Sequence, residues 1–295
     1  MRKRLAIRLL VILALVAGCS EPSGSAAPDP VTGRGGARPA AEPSAAPTEP
    51  AVAEAHPLPR KVSERPPWLG DRVLARGPNG FGVARFTPKL LRDRRLVTVD
   101  HLPPPRSDRF SSSVSPIPRD VLARSTWQRG CPVRVHDLAY VTIAFWGFDS
   151  EPHTGELIVH TSVARPVVSV FRKLYRARWP IEEMRVTTRE ELRAPPTGDG
   201  NNTSGFVCRP ARLATEWSEH AYGLAVDVNP FHNPYVRNDL VLPELALAYR
   251  NRGWQRPGMI RSGDVVTRAF AAIGWSWGGS WSSAKDWMHF SRSGD

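Results

Sequence analysis

Apolar and polar positions divide this chain into three regions of different character. Residues 9–17 are almost continuously apolar, whereas residues 19–67 contain very few large apolar side chains and are rich in Pro, Ala, Ser and Gly. From residue 68 onward, apolar side chains recur at the spacings of strands and helices. About 225 residues follow this point, which is enough for one domain with a hydrophobic core.

The pattern in this last region predicts a mixed set of elements. β-branched and aromatic residues predict strands at 137–148 and 156–160, with turn residues between them that join the two as a hairpin. Further predicted elements are short strands at 184–188, 224–228 and 287–290 and helices at 166–178, 242–252 and 264–273. Strands and helices do not alternate as βαβ units, so the predicted fold class is α+β. Residues 68–119 are assigned to an N-terminal extension of unknown structure, and residues 120–295 to the main domain.

The first 18 residues have the features of a lipoprotein signal peptide. Basic residues precede the apolar stretch, which is too short to span a bilayer comfortably, and Val16-Ala17-Gly18-Cys19 looks like a bacterial lipobox. We therefore expect removal of residues 1–18, lipid modification of Cys19 and an extracytoplasmic protein anchored to the cell membrane. The alternative is an ordinary signal peptide that happens to end near a cysteine.

The composition of residues 19–67 and the net charge of the chain bear on how the exported protein is attached and what it contacts. A segment with so few apolar side chains cannot offset its ordering entropy, so residues 19–67 are predicted to be a disordered tether. The chain has 40 Lys and Arg against 28 Asp and Glu, a formal net charge of +12. For an exported lipoprotein we expect wall polymers, anionic lipids or peptide carboxylates as partners, and no nucleic acid. A solvated basic surface without a partner is the other interpretation.

The expected export of the protein indicates the state of its three cysteines. Cys19 belongs to the lipobox, and an oxidising compartment makes a disulfide between Cys131 and Cys208 the expected state of the other two. The alternative, Cys208 as a metal ligand, is less favoured because the sequence has no Cys-x-x-Cys spacing around it.

Four residues near the C-terminus carry the candidate chemistry. His220 and Asp227 lie seven positions apart on either side of Gly223, and Asp286 and His289 lie three apart. Two imidazoles and one carboxylate can hold a zinc ion and leave its fourth position open for water. The second carboxylate can then accept a proton from that water. Taken alone, the first pair is better explained by a core histidine bonded to a local acid, and the second can be a surface acid with a histidine packed between Trp287 and Phe290. The occurrence of both pairs together favours the metal site.

These residues resemble the M15 metallopeptidases. The resemblance covers about residues 120–293 and rests on Ser218-x-His220-x-x-Gly223-x-Ala225-x-Asp227 followed by Asp286-x-x-His289. It implies a hedgehog/DD-peptidase-like fold, with a small antiparallel sheet and flanking helices around a zinc cleft that holds one Zn²⁺. Residues 189–200 depart from the family pattern, which leaves substrate specificity open.

The resemblance also assigns roles to individual residues. His220, Asp227 and His289 match the zinc ligands, and Asp286 matches the general base. Arg209 matches an arginine that steadies the substrate carbonyl or the oxyanion; the less favoured interpretation is one more surface arginine. Ser218, near the metal, and Tyr222, in the substrate cleft, are weaker matches.

The implied function is hydrolysis of peptidoglycan stem peptides in cell-wall remodelling. Two activities stay open: a D-Ala-D-Ala carboxypeptidase and an L-Ala-D-Glu endopeptidase. The alternative from another class is a non-catalytic zinc-containing module that binds wall or a partner protein, as in the hedgehog signalling domain of similar fold. We expect a monomer, although the sequence does not determine the oligomeric state.

Overall fold

The computed structural model describes residues 62–294. The predicted signal peptide, Cys19 and most of the predicted tether lie outside the described residues. Within the described range, no helix is both long enough and apolar enough to cross a membrane.

Short strands and helices make up the regular structure of residues 62–294. The strands are β1 (Ser112–Ser115), β2 (Leu138–Trp146), β3 (Pro152–His160), β4 (Glu183–Met184), β5 (Asn202–Thr203), β6 (Ala225–Asp227), β7 (Tyr235–Arg237), β8 (Leu240–Leu242), β9 (Ser276–Trp277), β10 (Lys285–Asp286) and β11 (His289–Ser291). The α-helices are α1 (Arg119–Arg124), α2 (Ala164–Arg176), α3 (Arg189–Arg193) and α4 (Val265–Ala271). Single 3-10 turns include Glu219–Tyr222, and a longer 3-10 run covers Glu244–Arg250.

The strands form several small sheets rather than one. Three antiparallel sheets have the orders β1-β2-β3, β10-β7-β8 and β6-β11-β9, and β4 pairs with β5 in parallel. The α+β class predicted from the sequence is confirmed, while the single small sheet is replaced by these separate pieces. Only two residues, Trp287 and Met288, connect β10 of one sheet to β11 of another.

The predicted hairpin and the predicted helix after it form the largest part of the core. β2 and β3 pair over nine residues each, from Leu138 opposite His160 to Trp146 opposite Pro152. The apolar side of α2 is buried together with these strands, α4 and the inner residues of β6 and β11, in one cluster that includes Val141, Leu157, Phe171, Val226, Phe270 and Phe290. Burial of this face, rather than helix propensity alone, stabilises α2.

The helix predicted at 242–252 is wrong. Leu242 ends β8, Pro243 follows it, and the next residues form the 3-10 run. A residue before proline is pushed towards extended backbone, so Leu242 favours a strand over a helix. The amide of Leu245, in the first turn of this run, donates to the carbonyl of Gly198 at 2.8 Å.

The N-terminal segment packs against the main domain. Ser63 pairs with Leu96, so the packed chain begins before the predicted end of the tether at residue 67. Leu91 and Leu96 are fully buried in a cluster that also contains Phe231, Val236, Val241, Leu245 and Tyr249. Residues 62–98 therefore complete a second part of the core beside the 3-10 run.

A set of buried polar side chains ties this segment down, and we call it the buried polar network: Arg94, Glu182, Asn201 and His232. The guanidinium of Arg94 donates to both carboxylate oxygens of Glu182, at 2.7 and 2.6 Å. Asn201 donates to Glu182 at 2.8 Å, and His232 Nε2 donates to the carbonyl of Arg94 at 2.9 Å. All four residues are at most 2 % exposed.

Candidate metal centre

Strand pairing places two of the candidate ligands face to face. β11 runs antiparallel to β6 in the register that sets His289 directly opposite Asp227. Directly opposed residues project from the same face of a sheet, so their side chains meet. The result is a contact of 3.0 Å between His289 Nδ1 and Asp227 Oδ1.

A tight turn brings the third ligand to the same point. His220 lies in the 3-10 turn Glu219–Tyr222, which Ser218 caps and Gly223 ends. Gly223 has a φ of +70°, and a Cβ there would lie 2.6 Å from the backbone nitrogen of His160. Only glycine tolerates this combination of left-handed backbone and close approach. The turn thus depends on the glycine between the two halves of the motif.

The tautomer of His220 is fixed by the backbone. Its Nδ1 donates to the carbonyl of Gly205 at 2.6 Å, which leaves the lone pair of Nε2 directed at the other two side chains. A backbone carbonyl on the far nitrogen is the usual support of a metal-binding histidine, because it sets the ring orientation and raises the basicity of the ligating nitrogen.

Three ligand atoms now form a small triangle, and we call their residues the His-Asp-His triad. His220 Nε2 lies 3.2 Å from His289 Nδ1 and 3.2 Å from Asp227 Oδ1, which closes the triangle begun by the 3.0 Å contact. Ligands about 2.0–2.1 Å from a tetrahedral zinc ion stand about 3.3 Å apart. Both the spacing and the donor set therefore fit a single zinc ion.

The charge of the triad agrees with a ligand set. Although burial opposes ionisation, His220 and His289 hold the pKa of Asp227 well below its usual range. A carboxylate that stays ionised inside the protein is the form that binds a cation.

Asp286 stands beside the triad but comes from the neighbouring sheet. It is in β10, opposite Tyr235 of β7, and only Trp287 and Met288 separate it from His289. Its Oδ1 is buried and, among residues 62–294, has no hydrogen-bond partner. Burial and then the charge of Asp227 raise the pKa of Asp286 to about 7. A buried carboxyl oxygen without a partner is rare unless a ligand or water completes it.

Two arginines face the same space. Arg209 and Arg212 line both cavities that border the triad, together with His220 and Asp227. Burial and then the charge of Arg212 lower the pKa of Arg209 to about 10, so Arg209 is still protonated at neutral pH. Within the described chain neither guanidinium has an ion pair, in contrast to Arg94.

The disulfide predicted between Cys131 and Cys208 is present, with the two Cα atoms 5.8 Å apart. Cys208 is therefore not a metal ligand. The bond fixes the residue immediately before Arg209, and the amide of Cys208 also donates to Thr126 Oγ1 at 3.0 Å. The cross-link thus anchors the backbone that presents Arg209 to the cavity.

Comparison with known proteins agrees with this geometry. Residues 212–292 match a family model described as D-alanyl-D-alanine carboxypeptidase, Peptidase_M15_4. The match supports a peptide hydrolase of the M15 family. It includes the triad and Asp286, and it begins after Arg209. Searches of curated proteins and of solved structures found no match for the chain.

The two weaker candidates behave differently. Ser218 is buried, lines the cavity on the Asp286 side, and its Oγ accepts from the amide of His220 at 3.4 Å. Tyr222 is half-buried and is absent from the lining of both cavities that border the triad. Residues of a 3-10 turn project about 120° apart, so Tyr222 faces away from the side that His220 takes. Its predicted place in the substrate cleft stays a prediction.

Sequence reasoning missed two contributors to the M15-like site. Arg212 carries no distinguishing signal in a chain so rich in arginine. The carbonyl of Gly205 acts through its backbone, which no side-chain pattern reveals. The role of this carbonyl appears only in the folded protein, where Gly205 lies between β3 and the His220 turn. The approach to β3 is close, because a Cβ on Gly205 would lie 2.5 Å from the carbonyl oxygen of Ile158.

Proposed function

We propose that this protein is a zinc-dependent peptidase that hydrolyses peptidoglycan stem peptides outside the cytoplasm. The observation that supports it best is the convergence of His220 Nε2, Asp227 Oδ1 and His289 Nδ1 at 3.0–3.2 Å beside a buried, unpaired carboxyl oxygen. The M15 match over the same residues supports peptide hydrolysis in particular.

Each residue of the site has its own role in the proposed hydrolysis. The triad would hold zinc, which supplies a bound water of lowered pKa and polarises the substrate carbonyl. Asp286 Oδ1 accepts a proton from the attacking water and later donates it to the leaving amine nitrogen. Arg209, protonated and half-buried, stabilises negative charge that develops on the carbonyl oxygen.

Two observations point to different scissile bonds. The description of the matched family favours removal of a terminal D-Ala. The triad, however, is bordered by one cavity of about 460 Å³ and another of about 420 Å³, which share Arg209, Arg212, His220, Asp227 and Met288. A peptide could continue into both of them, which an L-Ala-D-Glu endopeptidase requires.

Digestion of purified muropeptides by the full-length protein, with and without a chelator, tests the activity and the bond. Mass spectrometry would show loss of terminal D-Ala for the carboxypeptidase, or stem peptides cut after L-Ala for the endopeptidase. Asp286→Ala should abolish either product while one zinc stays bound. A protein that holds one zinc and yields no metal-dependent product would instead be a binding module.

The location rests on residues 1–19. We expect the wild-type protein in the membrane fraction with lipid on Cys19, and Cys19→Ser in the soluble extracytoplasmic fraction. Retention of Cys19→Ser in the membrane would contradict the lipid anchor and leave the peptidase proposal untouched.

A further inference from the structure

A turn of the N-terminal segment borders the candidate site, and we call residues 75–83 the cleft hairpin. Arg76 pairs with Gly82 in an antiparallel bridge, and the amide of Gly77 donates to the carbonyl of Phe81 at 2.8 Å. The turn between them leaves the side chain of Arg76 exposed. The hairpin lies outside the region matched by the family model, so the family resemblance assigns it no role.

The hairpin is held against the main domain at three points. The amide of Leu74, just before it, donates to the carbonyl of Pro196 at 2.8 Å. The amide of Gly82 donates to Glu244 Oε1 at 2.7 Å. Phe81 packs on a cluster of Tyr235, Leu242 and Met288. These contacts fix the hairpin to β7, the strand that pairs with Asp286, and to Met288 next to His289.

One cavity joins the hairpin to the His-Asp-His triad. Arg76, Gly80 and Phe81 line it on one side. Its other lining residues include Arg209, Arg212, His220 and Asp227. With a volume of about 460 Å³, it has room for a ligand the size of a short peptide segment. A substrate held by the triad in this cavity would lie along the cleft hairpin.

Three arginines (Arg76, Arg209 and Arg212) and three acids (Glu191, Asp227 and Glu244) line this cavity, and the acids have partners of their own, as Asp227 does in His289. Glu191 and Glu244 are already engaged, because Glu191 binds Arg185 at 2.5 and 2.7 Å and Glu244 accepts the amide of Gly82. Within residues 62–294, Arg76 and Arg212 form no ion pair; Arg76 Nη1 donates only to the carbonyl of Gly80, at 2.9 Å. A guanidinium with unused donors recognises a carboxylate through paired hydrogen bonds.

We infer that the cleft hairpin is a specificity element, in which Arg76, together with Arg212, binds a free carboxylate of the peptide substrate away from the scissile bond. This inference rests on the proposed peptidase function and adds the class of substrate: anionic peptides over their amidated forms. Arg76 is exposed and its hydrogen bond to Gly80 lies within the hairpin, so we expect its main effect to be on binding.

The experiment compares two synthetic stem peptides that differ only in one carboxylate that is not next to the scissile bond, free in one and amidated in the other. The full-length wild-type protein should show a kcat/KM about tenfold higher for the free acid, as expected for a charge-assisted contact weakened by solvent. Arg76→Gln should bring this ratio close to one through KM, with kcat/KM for the amide unchanged. Arg76→Lys should restore part of the preference.

Arg85→Gln is the matched control, because Arg85 is exposed in the same segment and is absent from the cavity lining. It removes the same charge and should leave the ratio unchanged. An equal loss for both peptides in Arg76→Gln would show a structural role and overturn the inference, as would a wild-type ratio near one.

Calorimetric binding of both peptides to the zinc-loaded protein separates this inference from the proposed function. If neither peptide is hydrolysed but the free acid binds about tenfold tighter in an Arg76-dependent manner, the subsite stands and the peptidase fails. If the peptides are hydrolysed and bind equally, the peptidase stands and the subsite fails.

Discussion

Two buried clusters of histidine and acid side chains within residues 62–294, the buried polar network and the His-Asp-His triad, differ in kind, and it is the triad that has the properties of a metal site. In the buried polar network, His232 accepts from Asn201 on one nitrogen, at 3.1 Å, and donates to the carbonyl of Arg94 on the other. In the His-Asp-His triad, two ring nitrogens and one carboxylate oxygen lie 3.0–3.2 Å from one another around a single point. Burial is common to both clusters, so it is the pairing of donors with acceptors that separates structure from site.

Removing one histidine from each cluster is the most direct test of this difference between the two clusters. His289→Ala should reduce bound zinc from one equivalent to almost none and lower hydrolysis by about a thousandfold or more, because a ligand is lost. His232→Gln should keep its zinc, since His232 contacts none of the triad residues. Metal analysis and kcat/KM measure both effects.

Loss of zinc in His232→Gln while the variant stays folded would contradict the division into two independent clusters. A His289→Ala variant that still binds one zinc tightly would show that the triad is a hydrogen-bonded group. Thermal unfolding in chelator serves as the control: His289→Ala should still unfold cooperatively there, at a temperature lowered only by the loss of a buried side chain.

The next largest effect concerns the charges of the network. Glu182→Gln leaves the guanidinium of Arg94 buried without a counter-charge, and we expect it to lower the free energy of unfolding by about 3–5 kcal/mol. Zinc binding by the folded fraction should be retained. Urea unfolding followed by tryptophan fluorescence measures the change.

Asp93→Asn is the matched control, since it breaks the exposed pair between Asp93 and Arg95. Its cost should stay below about 1 kcal/mol. Equal effects of the two substitutions would mean that the network contributes no more than a surface ion pair.

These two clusters also show how far the sequence alone could lead. The triad was predictable because each ligand sits in a short motif with its own turn glycine or strand pattern, as in His220, Gly223 and Asp227. The network was not, because Arg94 and Glu182 lie 88 residues apart and a charged residue is ordinarily expected on the surface. The same limit applies to the cleft hairpin, whose place beside the site depends on long-range contacts with Pro196 and Glu244.

Local patterns were likewise sufficient for β2, β3 and α2, where the apolar period matches the buried face. They failed at residues 242–252, where the apolar spacing resembled a helix. There Leu242, which precedes Pro243, pairs in β8, and the residues after the proline form a 3-10 run instead of an α-helix.

Acid should weaken the network in a defined pH range. Burial lowers the pKa of His232 to about 4, whereas its usual value is about 6.5. The unfolded chain therefore binds a proton at higher pH than the native one does. Stability from neutral His232 is complete above pH 6.5 and is lost as the pH falls towards 4, by about 3 kcal/mol.

Urea unfolding of the metal-free protein between pH 7 and 4 measures this, with His232→Gln as the reference that cannot titrate. The wild type should lose about 3 kcal/mol more than the variant over this range. His153, whose pKa is raised by its contacts with Asp149 and Asp100 despite opposing burial, acts in the other direction. The stability that His153 contributes is lost as the pH rises through its folded pKa, and it is the same in both proteins. Parallel stability curves for wild type and His232→Gln would therefore reject the assignment to His232.

The smallest expected effect tests where the metal site ends. Ser218→Ala removes the oxygen that accepts the amide of His220, a contact that is long at 3.4 Å. We expect a loss of about 0.5–1 kcal/mol in stability, typical of a capping serine, and a zinc affinity reduced by less than about tenfold. Competition with a chromogenic chelator measures the affinity. A reduction of zinc affinity beyond about a hundredfold would mean that Ser218 belongs to the ligand set itself and not to the structure that supports the ligands.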